Sequence, residues 1–276
     1  MPDDGGTVEP GIPLPVQDTV LLQISADCSP DSVRTADCFI YSGSGTKRLE
    51  KHFRAEGQVT ETAVPVNAGS KTVVMVLNCP YTFNLAALDR LDSFELLEFA
   101  FSDDDPDFPL MAARCDAEAG STARLKPAKL LCTVGIAAVS NNLGGDTLLE
   151  EPRVRLTGIS RSAKVMQEKD FRPVEVDEYG EWVPLPYDVG FYTQRPGTAL
   201  FCYPNDTPED VLGSQKTGLQ LECRINGEKK LFDFGLPPLP RGCRIDVELT
   251  IESADYARAI VPPRDLSCTY SHSCSK

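Results

Sequence analysis

The chain has 276 residues, 41% hydrophobic and 25% charged, with 22 prolines and 20 glycines, a profile of short strands and turns more than of long helices. Its formal charge of −14 argues against nucleic acid and against an anionic membrane surface as partners, because both select for basic patches. It contains no run of about 18 apolar residues, so no segment has the length and composition of a membrane-spanning helix.

Residues 1–18, opening Met1-Pro2-Asp3-Asp4, are polar and lack the apolar stretch of a signal peptide, and are expected to form a flexible tether ahead of the first strand. Residues 19–26 alternate, with Val20, Leu22, Ile24 and Ala26 on one face, and predict that strand. A second is predicted over 38–41, ending in the loop Ser42-Gly43-Ser44-Gly45. The unbroken β-branched run 71–77 suits a central strand covered on both faces. Asn84 is placed to cap a short helix carrying Leu85, Leu88 and Leu91 at three-residue spacing. Strands follow at 130–139, with Leu130, Cys132, Val134 and Ile136 inward, and at 153–159. Residues 161–188 lose any clean period, which places a boundary between a first unit, 19–160, and a second, 161–276.

In the second unit, strands are predicted at 199–203, 219–225, 231–234 and 244–251. Leu219, Leu221, Cys223 and Ile225 face one way. Asn226-Gly227 then tolerates the positive φ values of a type I′ turn and marks a two-residue hairpin. After the bend Pro237-Pro238-Leu239-Pro240, Ile245, Val247, Leu249 and Ile251 alternate inward again. The fold class read from these elements is all-β, with two β-sandwich domains and one or two short helices.

The ten cysteines include no Cys-x-x-Cys pair, and only His52 and His272 are histidines, so a zinc site has no ligand pattern. Cys28 with Cys38, and Cys268 with Cys274, are close enough in sequence to suggest local disulfides, which would imply export. Cys132 and Cys223 fall on apolar strand faces, where a free thiol is equally at home. In the acidic run, Asp103, Asp105 and Asp107 are candidate calcium ligands. The run lacks the glycine and terminal glutamate of an EF-hand loop, having Phe108 and Arg114 there, so a solvated loop is expected. No catalytic constellation or cofactor motif is present: there is no Gly-x-Ser-x-Gly elbow and no phosphate loop, and a nucleophile system would have to recruit His52 or His272. Tyr179, Trp182, Tyr187, Phe191 and Tyr192 form the densest aromatic cluster, open to two readings, core packing or a surface that stacks on sugars or anchors a protein.

Four segments together resemble the fimbrillin superfamily of Bacteroidales-type fimbriae, and within it the anchoring subunits of minor fimbriae. They are Phe108-Pro109-Leu110-Met111-Ala112; Arg124-Leu125-Lys126-Pro127-Ala128-Lys129, leading to the strand at 153–159; Tyr203-Pro204-Asn205; and the hairpin at Asn226-Gly227 with the bend 236–241 and closing strand. Gly242 stands where the family has Asn, and Ile245 where it has Tyr. The resemblance implies two transthyretin-like Greek-key sandwiches in a non-catalytic, exported cell-surface subunit without a cofactor. Its implied partners are other fimbrial subunits, bound by β-strand addition, and the outer membrane, reached through a lipidated N-terminal cysteine. Shaft subunits of this family lose their first strand by cleavage after an arginine while anchors keep it, and Arg48 and Arg54 are read as lying in a loop. The strand-donating regions would be 19–26 and the tail after Ser253. The alternatives are a tip adhesin using the aromatic cluster, a polymerising shaft subunit and, resting only on acidic abundance, a surface glycoside hydrolase.

Overall fold

The computed structural model describes residues 19–29, 32–57, 61–173, 175–208 and 215–262. The expected tether, His272 and the Cys268–Cys274 pair lie outside them. The chain first forms β1 (Thr19–Ala26), β2 (Thr35–Ser42), β3 (Leu49–Glu56), β4 (Glu61–Asn67), β5 (Ser70–Leu77), the helix α1 (Leu91–Glu95), β6 (Glu98–Ala100), β7 (Met111–Glu118), β8 (Thr122–Leu125) and β9 (Ala128–Lys129). It continues with β10 (Cys132–Asn141), β11 (Leu149–Ser160), β12 (Ser162–Lys164), β13 (Val176–Tyr179), β14 (Val183–Pro184), β15 (Thr193–Gln194), β16 (Ala199–Cys202), β17 (Gly218–Ile225), β18 (Glu228–Gly235), β19 (Arg244–Ser253) and β20 (Tyr256–Ile260). The fold is all-β, as expected.

The first sandwich packs the sheet β3-β2-β5-β7-β9 on the sheet β4-β1-β8. Leu22, Ile24, Val64 and Val66 from the smaller sheet meet Cys38, Ile40, Val73 and Met75 from the larger. Each aliphatic side chain so buried contributes roughly 1.5–3 kcal/mol. The run in β5 is apolar throughout because both faces are covered. Val73, Met75 and Leu77 point between the sheets, while Val74 and Val76 join Phe39, Tyr41, Leu88, Leu91, Phe94 and Phe99 in a second core.

The helix expected from Asn84 forms later, over Leu91–Glu95, with Arg90 rather than Asn84 before it. The cause is competition for backbone groups. A turn does start at Asn84, with Ala87 N→Asn84 O and Leu88 N→Leu85 O both at 3.1 Å. Tyr41 Oη then donates to Leu88 O (3.0 Å), Leu49 N to Asp89 O (2.7 Å) and Leu91 N to Lys47 O (3.1 Å), so residues 88–91 bond to the β2–β3 region instead of extending the turn into a helix.

The second sandwich packs β15-β10-β19-β20, with β16 also on β10, against β13-β11-β17-β18, with β14 also on β11. The β17–β18 hairpin turns at Asn226 (φ 53°) and Gly227 (φ 80°), both left-handed as a type I′ turn requires. Leu219, Leu221, Cys223 and Ile225 face Val247, Leu249 and Ile251 in its core.

Sheet membership divides the chain between Lys129 and Cys132, ahead of the 160/161 boundary expected from composition. β10 and β11 pair with β13 to β19, never with the first sandwich. The aperiodic stretch after residue 160 is a strand-poor connection within the second unit. There β12 pairs with β6, and Ala163, Val165, Phe171 and Tyr203 bury themselves against Phe99 and the rest of the second core.

Candidate functional site

Three regions bear on function: the slot that holds β1, the aromatic cluster, and the junction between the sandwiches. β1 lies between two strands. It pairs antiparallel with β4 from Thr19↔Asn67 to Ser25↔Glu61, and parallel with β8 from Gln23↔Thr122 to Ala26↔Leu125. Leu22, Ile24 and Ala26 fill the core, while Leu21 and Gln23 face outward. Without β1, β4 and β8 would stand about 9–10 Å apart, two inter-strand spacings, each with an unpaired row of backbone groups above an apolar floor. Such a slot can accept one strand with period-two apolar residues. The outer edges are less receptive. β4 carries Pro65, which has no N–H to offer, and β3 carries Glu50, Lys51 and Arg54.

The arginine nearest β1 in the connection to β2 is Arg34, and its side chain is engaged. Nη1 meets Asp105 Oδ2 at 2.9 Å, and the guanidinium lies 3.5 Å from the centroid of the Phe108 ring. Arg54, read from sequence as a loop residue, is inside β3. It contacts the buried Asp37 carboxylate at 3.3 Å and donates to Tyr81 O (2.9 Å) and Cys79 O (3.3 Å). Arg48 directly precedes β3 and bridges to Arg90.

The aromatic cluster separates into two groups. On the outer face of the β11 sheet, the Arg155 guanidinium lies 4.0 Å from the Tyr179 ring centroid and 4.3 Å from that of Trp182. Behind them run two ladders, Arg153–Glu222–Lys229 and Arg155–Gln220–Asp233. Tyr187, Phe191 and Tyr192 instead stand 70%, 69% and 63% exposed, too far into solvent for core packing. Tyr187 lines a groove of about 680 Å³ with Pro186, Arg153, Glu222 and Lys229.

Asp103, Asp105 and Asp107 do not converge. Asp105 is turned to Arg34, and its Oδ1 accepts the Asp107 N–H at 3.0 Å. Among the described residues no group of three or more His, Cys, Asp or Glu side chains is arranged to hold a metal. The structural member of the run is Asp104. Its Oδ1 accepts the Leu110 N–H (2.8 Å), and desolvation raises its pKa despite that bond.

His52 Nε2 lies 3.0 Å from Asp37 Oδ1, and its ring packs on Phe39. This resembles the orienting half of a catalytic triad, yet no hydroxyl or thiol among the described residues is hydrogen-bonded to His52. Cys28 and Cys38 are free thiols, and Cys38 neighbours Cys115 across β5.

At the junction, segments that are far apart in the sequence meet. Asn205 and Leu239 form an isolated antiparallel bridge. Arg241, only 6% exposed, donates from Nη1 to Val165 O (2.6 Å) and Gln167 O (2.9 Å) and from Nη2 to Ala128 O (2.9 Å). Gly242 follows at φ 62°, and a Cβ there would lie 2.8 Å from Lys129 O. The left-handed φ suits Gly or Asn, while the close carbonyl admits only Gly in this chain without a shift.

Fold and junction together define a two-domain β-sandwich protein whose first strand fills a slot between two others. No family model matches the chain, and no curated protein matches it by sequence. Solved structures share its fold. A candidate cell adhesion protein of Parabacteroides distasonis superposes with a TM-score of 0.64 at 9% identity, over 89% of this chain and 92% of that one. A fimbrilin of Porphyromonas gingivalis gives 0.62 at 10% identity over 87% and 92%. A C-terminally truncated tip fimbrial protein of the same species gives 0.59 at 9% over 88% and 98%.

Proposed function

We propose that the chain is a non-catalytic subunit of a cell-surface fimbrium, an anchor or accessory subunit that joins other subunits by strand addition and keeps its own first strand. The observation that carries this is the place of β1 between β4 and β8, which makes one strand the removable and replaceable part of a sandwich. The fold shared with fimbrial proteins supports it. Retention of β1 is supported by Arg34, whose ion pair and ring contact would both have to break before a protease could bind the β1–β2 connection in extended form. Attachment to the outer membrane through an N-terminal lipid belongs to the same proposal.

The test is incubation of the full-length folded chain with an arginine-specific protease, followed by electrophoresis and size-exclusion chromatography. An anchor or accessory subunit is expected to keep β1 and stay unpolymerised. A single clean cut that removes β1 and is followed by polymerisation would overturn that assignment in favour of a shaft subunit.

A second reading, a tip adhesin, draws on the exposure of Tyr187, Phe191 and Tyr192. A glycan array and a host-protein binding screen test it, with loss of any binding in the triple alanine variant expected and silence in both screens counting against it.

A further inference from the structure

Three of the buried cysteines are lateral neighbours. Cys132 opens β10 and is the register partner of Cys202, which closes β16. On the other side of β10, Thr133 pairs with Arg244 and its N–H donates to Cys243 O at 2.9 Å, so Cys243 flanks Cys132 opposite Cys202. The three are 0%, 0% and 3% exposed. The Cys132 thiol points at the turn that carries Cys243, with Sγ 3.1 Å from Pro240 O. The neighbouring Cys132 thiol, with burial, pushes the pKa of Cys243 up.

The backbone distinguishes the two pairs Cys132 could form. Cys202 lies within a strand opposite Cys132, both fixed by the ladder. Cys243 precedes β19 and follows Gly242, at the end of a turn closed by Cys243 N→Pro240 O (3.1 Å), and its backbone is held to β10 only through its carbonyl, by Thr133 N. Laterally adjacent strand positions put Cα atoms about 5 Å apart, within the span a disulfide bridges.

We propose that Cys132 and Cys243 are a disulfide site, oxidised when the chain folds in a compartment that supplies a small-molecule disulfide, with Cys202 remaining a thiol beside the bond. The Cys132 thiolate attacks one sulfur of glutathione disulfide and expels a glutathione thiolate. The Cys243 thiolate then attacks the Cys132 sulfur of the mixed disulfide and expels the second glutathione. The two protein thiols lose two protons and two electrons, and one glutathione disulfide becomes two glutathiones. Burial of all three thiols makes the reaction one of the folding chain and not of the finished sandwich. The bond would tie the start of β10, where the chain leaves the first sandwich, to the turn that already holds Ala128 through Arg241. Neither the site nor its chemistry depends on the fimbrial reading.

The full chain is refolded from denaturant in a glutathione redox buffer or in dithiothreitol, its free thiols are alkylated under denaturing conditions, and it is digested with trypsin without reduction. Lys129, Arg153, Arg241 and Arg244 place Cys132 and Cys243 in separate peptides, the latter within Gly242-Cys243-Arg244. The expected result is those two peptides joined, Cys202 alkylated, and Tm higher in the oxidised sample by roughly 5–12 °C. C202S should keep the linked peptides, and C243S should lose both the link and the Tm difference. Alkylation of both Cys132 and Cys243 after glutathione refolding would overturn the proposal. So would a bond from Cys132 to Cys202.

Discussion

Asn205 and Leu239 exchange both backbone hydrogen bonds, Asn205 N→Leu239 O at 2.9 Å and Leu239 N→Asn205 O at 2.8 Å. The Tyr203-Pro204-Asn205 element and the bend after β18 are therefore one structural unit. The buried side chain of Asn205 completes it, with Nδ2 donating to Gln215 O (3.0 Å) and Thr217 Oγ1 (3.4 Å) and Oδ1 accepting the Thr207 N–H (3.3 Å). Replacing Asn205 by Ala leaves these groups without their partner and is expected to cost about 1–3 kcal/mol, measured by urea denaturation. Asn205→Asp keeps the acceptor but loses the donor, and should also destabilise at neutral pH.

Arg241 joins segments from both sides of the junction, Ala128 ahead of β10 and Val165 with Gln167 after β12. Arg241→Met leaves three carbonyls short of a donor and should cost roughly 3 kcal/mol or more. Arg241→Lys keeps the charge but replaces a planar fork with a single ammonium, so it should recover only part of the loss. Calorimetry checks the coupling. Wild type is expected to unfold in one transition, and Arg241→Met to broaden or split it as the sandwiches separate.

Strands with a clean alternation were legible because the sheet imposes a period of two on the sequence, while β3, β4 and β7 went unpredicted. The stretch 19–26 coincides with β1, and Asn226-Gly227 marks the hairpin with a two-residue turn that only positive-φ residues fill. What period cannot encode is which neighbour a strand takes. β10 lies parallel to β19, whose residues come more than a hundred positions later, and nothing within 132–141 names that partner. The same limit applies to the sites. Clustering along the chain placed five aromatics together, but Arg153 and Arg155 on β11 draw Trp182 and Tyr179 to the sheet face while Tyr187, Phe191 and Tyr192 remain in solvent. In the acidic run, counting alternate carboxylates selected Asp103, Asp105 and Asp107 and passed over Asp104, whose role depends on a bond to Leu110.

Glu222 is flanked by Lys229 Nζ at 2.7 Å and Arg153 Nη2 at 2.6 Å. Desolvation works to raise its pKa, but the hydrogen bonds and charges of Lys229 and Arg153 together outweigh it, and the net shift is downward. A lowered pKa in the folded state means that the folded chain binds its proton less readily than the unfolded one. The stabilisation is present above the unfolded value of about 4.3 and is lost as pH falls through the folded value. Glu222→Gln should therefore be less stable than wild type at pH 7, with the gap closing below about pH 4. Thermal melts of both proteins across that range measure it, and a gap unchanged down to low pH would show that lost packing, not charge, was responsible.

Asp104 is shifted the other way. Desolvation raises its pKa, outweighing the lowering effects of the Leu110 N–H and of the neighbouring Tyr203 hydroxyl, which also lies 3.3 Å from Ala100 O. A raised pKa means that the folded chain holds this proton more tightly than the unfolded one. Its contribution is fully present below the unfolded value and is lost as pH rises through the folded value, so at neutral pH the charge opposes folding. Asp104→Asn keeps an oxygen to accept the Leu110 N–H and removes the charge. It is expected to melt above wild type at pH 7, with the difference vanishing below about pH 4 as the wild-type carboxyl takes up its proton. Were Asp104→Asn less stable at pH 7, the ionised carboxylate would have to be a net stabilising acceptor at this junction, with the Leu110 N–H and the Tyr203 hydroxyl together outweighing desolvation. Tyr203→Phe in the Asp104→Asn background tests that directly, since a hydroxyl committed to the carboxylate gives a double-variant loss smaller than the sum of the two single ones.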